Sequence, residues 1–182
     1  KEGTAAVHKA FLKTLHSFLP SDCRPTIVTD AGFKTPWFKE VLALGWDYVG
    51  RVRGRVNYCK PDSDDYHPIS HLFSQATSTA KSLGEILLSK SKGLRTCVYL
   101  YKHRLKGRKK LTKSGKVSRS KNSLAHSCGY REPWVLVSSL TGKLAAKKVV
   151  KIYKRRMVIE ENFRDVKSVE YGFSMNENQT LK

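Results

Sequence analysis

The segment from residue 25 to residue 54, PTIVTDAGFKTPWFKEVLALGWDYVGRVRG, changes its hydrophobic pattern twice. PTIVTD is a short β-branched run typical of a buried strand, and WDYVGRVRG is a second run of that kind. Between them, TPWFKEVLALG carries helix signals, with Thr35 as the predicted N-cap, Pro36 in the first turn and Gly45 at the end. A strand, a helix and a second strand in succession predict an α/β fold whose two strands pair in parallel.

The rest of the chain extends this α/β unit. Helical spacing of apolar residues predicts one helix over 4–18 and another over 143–168. Three further runs, EILLSK, RTCVYLYKHRL and EPWVLVSSL, read as strands. We therefore predict a core formed by 1–54 and 143–182, interrupted by a basic, β-rich insertion over 55–142.

The net charge of the chain limits the classes of partner that it is expected to bind. The formal net charge is +20, which is usually tolerated where a polyanion binds. Nucleic acid is the first candidate and an anionic membrane surface is the second. No run of 18 apolar residues and no Lys-rich helix with a wide apolar face supports a membrane role. Nucleic acid is therefore the predicted partner.

A cationic stretch runs from Lys102 to Lys121 without any acidic residue. Such a stretch suits the phosphate backbone of nucleic acid. A solvated, disordered loop is the alternative, and the two interpretations are compatible. The predicted DNA-binding residues here are Arg104, Lys106, Arg108, Lys109 and Lys110.

The predicted last helix carries a polar stripe in YKRRMVIEENFRDVK. At 100° per residue, four side chains fall within about 60° of one another. The stripe borders the apolar stripe that we expect to be buried, and it therefore lies at the rim of the core. A row of ion pairs, such as Arg156 with Glu160, is the alternative explanation. The polar stripe is Tyr153, Arg156, Glu160 and Lys167, and the apolar stripe is Ile152, Ile159, Phe163 and Val166.

A glutamate among cations suggests a metal ligand. One carboxylate cannot hold Mg²⁺ alone, because this ion prefers several hard oxygen ligands in octahedral geometry. Asp30, at the end of the strand TIVTD, is a candidate second ligand, because ligands bind at the carboxyl ends of strands in α/β sheets. For Asp30, an ordinary Asx-turn or a helix cap is the alternative.

The spacing Tyr153-x2-Arg156-x3-Glu160-x6-Lys167 fits the YREK signature of a branch of bacterial DDE transposases at every position. VTDAGFKTPWFKEVLALGWDYVGRVRG resembles the tetracycline-transposon branch of this insertion-sequence family around its second catalytic aspartate, and EPWVLVSS does so as well. The resemblance covers essentially the whole chain. It implies an RNase H-like core, a mixed sheet with helices, with a β-rich insertion between the second aspartate and the glutamate.

The resemblance also implies a site. Asp30 and Glu160 would be catalytic ligands of Mg²⁺, for which Mn²⁺ can substitute. Tyr153, Arg156 and Lys167 would contact phosphates of the transposon end. Trp134 matches a tryptophan that fills the gap left by a flipped base in a related transposase, although a tryptophan that opens a strand can equally belong to the core.

The implied function is metal-dependent DNA cleavage and strand transfer at insertion-sequence ends. Water would cut the end, and a DNA 3′-OH would then join it to double-stranded target DNA. A full-length dimer in a synaptic complex and a place near the nucleoid in the bacterial cytoplasm are expected. The alternative is a non-catalytic basic nucleic-acid-binding module. Such a module has no use for Glu160 on a cationic face, where the carboxylate would repel phosphate unless a metal intervened.

One feature departs from the family pattern. No residue upstream of Asp30 matches the first catalytic aspartate, since Asp22 in PSDCRP reads as a turn residue. The sequence also stops soon after the signature helix, at MNENQTLK. We therefore expect an internal fragment or a decayed gene, inactive on its own.

The charge pattern yields a first prediction. Neutralising Arg104, Lys106, Arg108, Lys109 and Lys110 to Gln should reduce the slope of log K against log salt by about one unit for each lost phosphate contact. Fluorescence anisotropy with a DNA duplex between about 50 and 200 mM salt measures this slope. An unchanged slope would show that the cationic stretch does not contact DNA.

Overall fold

A computed structural model describes residues 4–91, 93–103, 112, 114–123 and 132–167, without the side chains of Glu160 and Arg164. Seven strands form one sheet in the order β1-β2-β7-β6-β5-β3-β4. The strands are β1 (Thr26–Thr29), β2 (Asp47–Val52), β3 (Asn57–Cys59), β4 (His67–Pro68), β5 (Lys81–Leu88), β6 (Leu94–Tyr101) and β7 (Trp134–Ser138). The helices are α1 (Ala5–Phe18), α2 (Thr35–Ala43), the 3₁₀ helix Ile69–Gln75 and α3 (Ala145–Lys167).

The sheet is mixed, and its parallel part is the one that the sequence predicts. β1 pairs with β2 in parallel, with Thr26 opposite Asp47 and Thr29 opposite Gly50. β2 pairs with β7 in the antiparallel sense, and so do the remaining strand pairs. The α/β class and the parallel pair are therefore confirmed.

The strands of the predicted insertion continue the same sheet. β3 to β6 extend it outward, and β7 pairs directly with β2 from the first part of the chain. The division into 1–54, 55–142 and 143–182 stays a prediction. None of the described helices is long and apolar enough to cross a membrane.

The start of α2 differs by one residue from the sequence prediction. Lys34 is the N-cap, its side chain makes no capping hydrogen bond, and Thr35 is the first helical residue. Pro36 lies in the first turn as predicted. The ring of Pro36 fixes its own φ near the helical value, so the turn can begin without a side-chain cap. Gly45 follows the helix with φ of +72°, a conformation that glycine adopts at little cost.

β2 serves both faces of the sheet. Tyr48 and Val52 belong to the core on the α2 side, whereas Val49 packs on the α3 side with Val149 and Tyr153. This is the period of two expected of a strand. α2 and α3 therefore cover opposite faces of the same strand.

Buried polar groups fix the register of β2, β7 and β6. The hydroxyl of Tyr48 donates to Thr96 Oγ1 at 2.7 Å, and Ser138 Oγ donates to the carbonyl of Tyr48 at 2.6 Å. Burial raises the pKa of Tyr48 to about 12, although the hydrogen bond to Thr96 opposes this shift. A slip of one residue would leave these groups without partners, which is costly in a core.

The second half of α3 corrects the expectation of a fully buried apolar stripe. Ile159, Phe163 and Val166 are 54%, 62% and 38% exposed, whereas Tyr153 is only 1% exposed. A helix of 23 residues is about 34 Å long, whereas the longest strands of the sheet, with eight residues, span only about 27 Å. The sheet therefore buries the first half of the helix, and Tyr153 lies in the core rather than at its rim.

Gly50 generates a prediction about the packing of α2. A Cβ at this position would lie 2.4 Å from Cε1 and Cζ of Phe38. Gly50→Ala should therefore lower the free energy of unfolding by about 1–3 kcal/mol through overpacking, although alanine normally suits a strand better than glycine.

A double-mutant cycle in urea identifies the cause. If the clash with Phe38 is responsible, Phe38→Leu and Gly50→Ala together should cost less than the sum of the single changes. Strictly additive effects would contradict this explanation.

Candidate functional site

One end of the sheet collects the predicted site residues. β1 and β2 run in parallel, so Asp30 follows the last residue of β1 on the side where β2 reaches Arg51. At the same end, Val52 pairs with Val135 of β7 and Trp134 pairs with Tyr101 of β6. The carboxyl ends of parallel strands are where α/β sheets bind ligands.

Asp30 forms an Asx-turn at this end of the sheet. Its Oδ1 accepts a hydrogen bond from the N–H of Gly32 at 2.8 Å, and the side chain is exposed. The Asx-turn, which was one alternative explanation for Asp30, is therefore present. A carboxylate has about four acceptor sites, however, so one hydrogen bond leaves capacity for a further ligand.

Tyr153, Arg156 and Trp134 come together on the α3 face. The rings of Trp134 and Tyr153 meet edge to face, with centroids 4.9 Å apart. The guanidinium carbon of Arg156 lies 5.9 Å from the centroid of the Tyr153 ring. Three of the residues predicted to bind DNA therefore form one cluster. The packing of Trp134 against the buried Tyr153 also fits a core tryptophan.

Arg51 joins this cluster, and the sequence prediction missed it. Burial lowers the pKa of Arg51, while the charge and hydrogen bond of Tyr153 act in the opposite direction. Its Nε is buried and has no hydrogen-bond partner among the described residues. An arginine in a protein stays protonated, so the cluster contains a partly desolvated cation. The alternation of DYVGRV, which puts Arg51 on the face of Val49, is the signal that could have revealed it.

Further cations surround the cluster. Lys154 Nζ lies 3.1 Å from the hydroxyl of Tyr101 and 4.5 Å from the centroid of that ring. Arg53 pairs with Glu132 at 2.6 Å. The end of the sheet thus combines aromatic faces with positive charge, a combination that suits nucleic acid.

The remaining signature residues lie farther along α3. Glu160 is seven residues beyond Tyr153, about 10 Å along the helix axis, and its side chain is not described. Lys167 is exposed at about 21 Å from Tyr153 along the axis, so it does not join the cluster. The approach of Asp30 and Glu160 stays a prediction, as does an Arg156–Glu160 ion pair.

Two expectations concern groups that the structure describes only in part. The cationic residues Arg104, Lys106, Arg108, Lys109 and Lys110 lie outside the described residues. Within the described part of the chain, no group of three His, Cys, Asp or Glu side chains could hold a metal ion. The Glu160 side chain is not described, so this statement does not cover its carboxylate.

Comparison with known proteins gives one match. The family model described as "Transposase DDE domain" matches residues 2–177. This range includes all the strands and helices described above, from α1 to α3. No curated protein matches the chain.

The contact between Arg51 and Tyr153 can be tested with two tyrosines that both pack on Trp134. Tyr153→Phe should lower the free energy of unfolding by about 1–3 kcal/mol, because the buried hydroxyl that favours the charged form of Arg51 is lost. Tyr101→Phe, whose hydroxyl bonds the exposed Lys154, should cost less than about 1 kcal/mol.

Urea denaturation of both variants gives these values. The cycle of Tyr153→Phe with Arg51→Gln should show coupling between the two residues. Equal losses in the two tyrosine variants would mean that Arg51 does not depend on the Tyr153 hydroxyl.

Proposed function

The chain belongs to the family of transposase DDE domains, and from this we propose that it acts on DNA as a transposase of the YREK-signature branch. Its reaction would be metal-dependent cleavage and strand transfer at insertion-sequence ends, on an RNase H-like core. The observation that carries the proposal is the cluster of Arg51, Trp134, Tyr153 and Arg156 at the sheet end beside Asp30. This arrangement offers positive charge and an aromatic face next to a carboxylate.

We expect the signature residues to have different roles at the transposon end. Tyr153 is almost fully buried, so its hydroxyl acts on the guanidinium of Arg51 rather than on DNA directly. Arg156 is half-buried and Lys167 is exposed, and both can donate to phosphate oxygens. Tyr153 is therefore a positioning residue in this proposal, whereas Arg156 and Lys167 bind phosphate. Trp134, half-buried beside Tyr153, could contact an unstacked base.

The donor set agrees with a hard cation. Asp30 offers an exposed carboxylate that uses one acceptor site for its own turn, and Glu160 would supply the second carboxylate. Oxygen ligands of this type suit Mg²⁺ or Mn²⁺. When bound, the metal would activate the attacking oxygen and stabilise the leaving oxygen of the in-line displacement.

We further propose that this chain does not cleave DNA by itself, because the sequence offers no match to the first aspartate of the family. With only two carboxylates, a metal site would lack one of its main ligands. The attacking oxygen would then not be held in position for the displacement. A dimer would pair two transposon ends in a synaptic complex with target DNA. The alternative of a non-catalytic basic DNA-binding module is favoured by the charge of +20, which binds phosphate without any metal.

A metal-linked DNA-binding experiment separates these proposals. We expect Mn²⁺ to strengthen binding of the chain to transposon-end DNA, because Asp30 and Glu160 would hold the ion and its positive charge would attract the phosphates. Asp30→Asn and Glu160→Gln should each remove this gain and leave binding in EDTA unchanged. The matched controls are Asp22→Asn and Glu161→Gln, which remove the same charge from exposed neighbouring positions. Electron paramagnetic resonance of Mn²⁺ reports the binding of the metal itself.

The outcomes differ for each hypothesis. If Glu160→Gln and Glu161→Gln behave alike, Glu160 is not a metal ligand and the basic binding module is the better description. If the unmodified chain cleaves DNA in Mg²⁺ and both Asp30→Ala and Glu160→Ala abolish cleavage, the proposal of inactivity is wrong. No binding to DNA at all would refute the whole proposal.

A further inference from the structure

The face of the sheet that carries α2 holds a cavity of about 590 Å³. It lies between the first turn of α2, the end of β2 and the β5–β6 connection. This volume lies within the usual range for small-molecule sites. Its lining begins at Ala31, one residue after Asp30, and comes from residues 31–38, 51–57 and 88–91, among them Phe33, Arg51, Arg55, Val56 and Lys90. We call it the α2 pocket.

The rim of the α2 pocket is cationic. Five of its lining residues are lysine or arginine, and none is acidic. Arg53 is neutralised by Glu132, and Lys34 Nζ donates to the carbonyl of Ala31 at 3.1 Å. Arg55 and Lys90 are exposed and pair with no carboxylate among the described residues. These two side chains can therefore bind an anion without breaking an ion pair.

The floor of the α2 pocket is apolar. Phe38, Val52 and Leu88 are buried beneath it. Phe33 is half-buried and packs on Trp37, with ring centroids 4.6 Å apart. A simple anion would not need this floor, and a hydrocarbon would not need the cations. The combination suits a nucleotide unit, in which a charged phosphate is joined to a base with an aromatic face.

The backbone at Ser89 forms a tight turn between β5 and β6 at the wall of the pocket. Its φ of +67° lies in the left-handed region and is the only such value for a non-glycine residue among those described. The Ser89 N–H donates to the carbonyl of Asn57 at 2.8 Å, and the Ser89 carbonyl accepts from the N–H of Gly93 at 2.8 Å. These bonds hold a residue in a costly conformation at the wall of the pocket. Strain of this kind is concentrated at binding sites.

The position of the α2 pocket relative to Asp30 determines which part of a bound DNA strand could enter it. The loop 30–33 joins Asp30 directly to the lining, so the pocket lies beside the proposed metal ligand, on the face opposite α3. The signature residues Tyr153 and Arg156 are on α3. Arg51 belongs both to the pocket lining and to the cluster that we assign to the transposon-end phosphates, so the two sites meet at this residue, whereas Tyr153, Arg156 and Trp134 lie outside the lining.

We propose that the α2 pocket holds one unpaired nucleotide of a DNA strand that passes Asp30. Arg55 and Lys90 bind its phosphates, and Phe33 and Val56 contact its base and sugar. The first turn of α2 adds little, because Pro36 has no N–H and the N–H of Trp37 already donates to the carbonyl of Lys34 at 2.9 Å. This inference rests on the proposed function only for the identity of the ligand as DNA.

The test uses a labelled dT tetranucleotide and a 20-base-pair duplex in fluorescence anisotropy. The pocket variant is Arg55→Gln with Lys90→Gln. The matched control is Lys13→Gln with Lys39→Gln, which removes the same charge from exposed positions outside the lining. We expect the pocket variant to weaken tetranucleotide binding about tenfold and to lower its salt slope by about 1.4, the value for two phosphate contacts on a single strand. The control should change binding less than about twofold.

A second arm tests the apolar floor. An abasic tetranucleotide with the same phosphates should bind the unmodified chain at least about fivefold more weakly than dT tetranucleotide. The pocket variant and the control should have the far-ultraviolet circular dichroism of the unmodified chain, since all four changed side chains are exposed.

Each outcome has one meaning. Equal losses in the pocket and control variants would refute the α2 pocket and leave the proposed function intact. Equal binding of dT and abasic tetranucleotides would reduce the pocket to an anion site and refute the nucleotide assignment. Failure to bind both the duplex and the tetranucleotide would refute the proposed function itself.

Discussion

The alternation of side chains along β2 is the constraint on which the rest of the structure depends. Tyr48 and Val52 face α2, and Gly50 lets the ring of Phe38 lie directly against the strand. Val49 and Arg51 face α3. β2 also joins the parallel strand β1 to the antiparallel strand β7. One six-residue strand therefore aligns both helix layers and brings the end of β1, with Asp30, beside the positive charge of Arg51.

A partly buried arginine at the end of a strand is costly, and its surroundings suggest why it is kept. Desolvation lowers the pKa of Arg51 and the Tyr153 hydroxyl compensates only in part. Hydrophobic residues of similar volume often replace buried charges without loss of stability. Perturbed ionisable groups are concentrated at functional sites, although structural networks perturb them too. The position of Arg51 beside the signature residues favours the functional explanation.

The sequence predicted the parts of the fold that depend on local patterns. These include the parallel strand pair, the bounds of α1 and α3 within two residues, and Pro36 in the first turn of α2. The sequence prediction failed where burial depends on the length of the sheet against which a helix packs. Helical periodicity shows which face of α3 is apolar, but it cannot show that the sheet ends near Tyr153 and leaves Ile159 and Phe163 exposed. The sequence did not predict the α2 pocket either, because strand pairing brings its wall together from residues 31–38, 51–57 and 88–91.

Positive charge on both faces of the sheet end explains how carboxylates could work beside DNA. Asp30 is exposed, and an isolated carboxylate repels a phosphate backbone. Arg156 lies beside Tyr153 of α3, Arg55 and Lys90 line the α2 pocket, and Arg51 contributes to both, so several charges that attract phosphate lie near the aspartate. Their positive potentials add at the strand end.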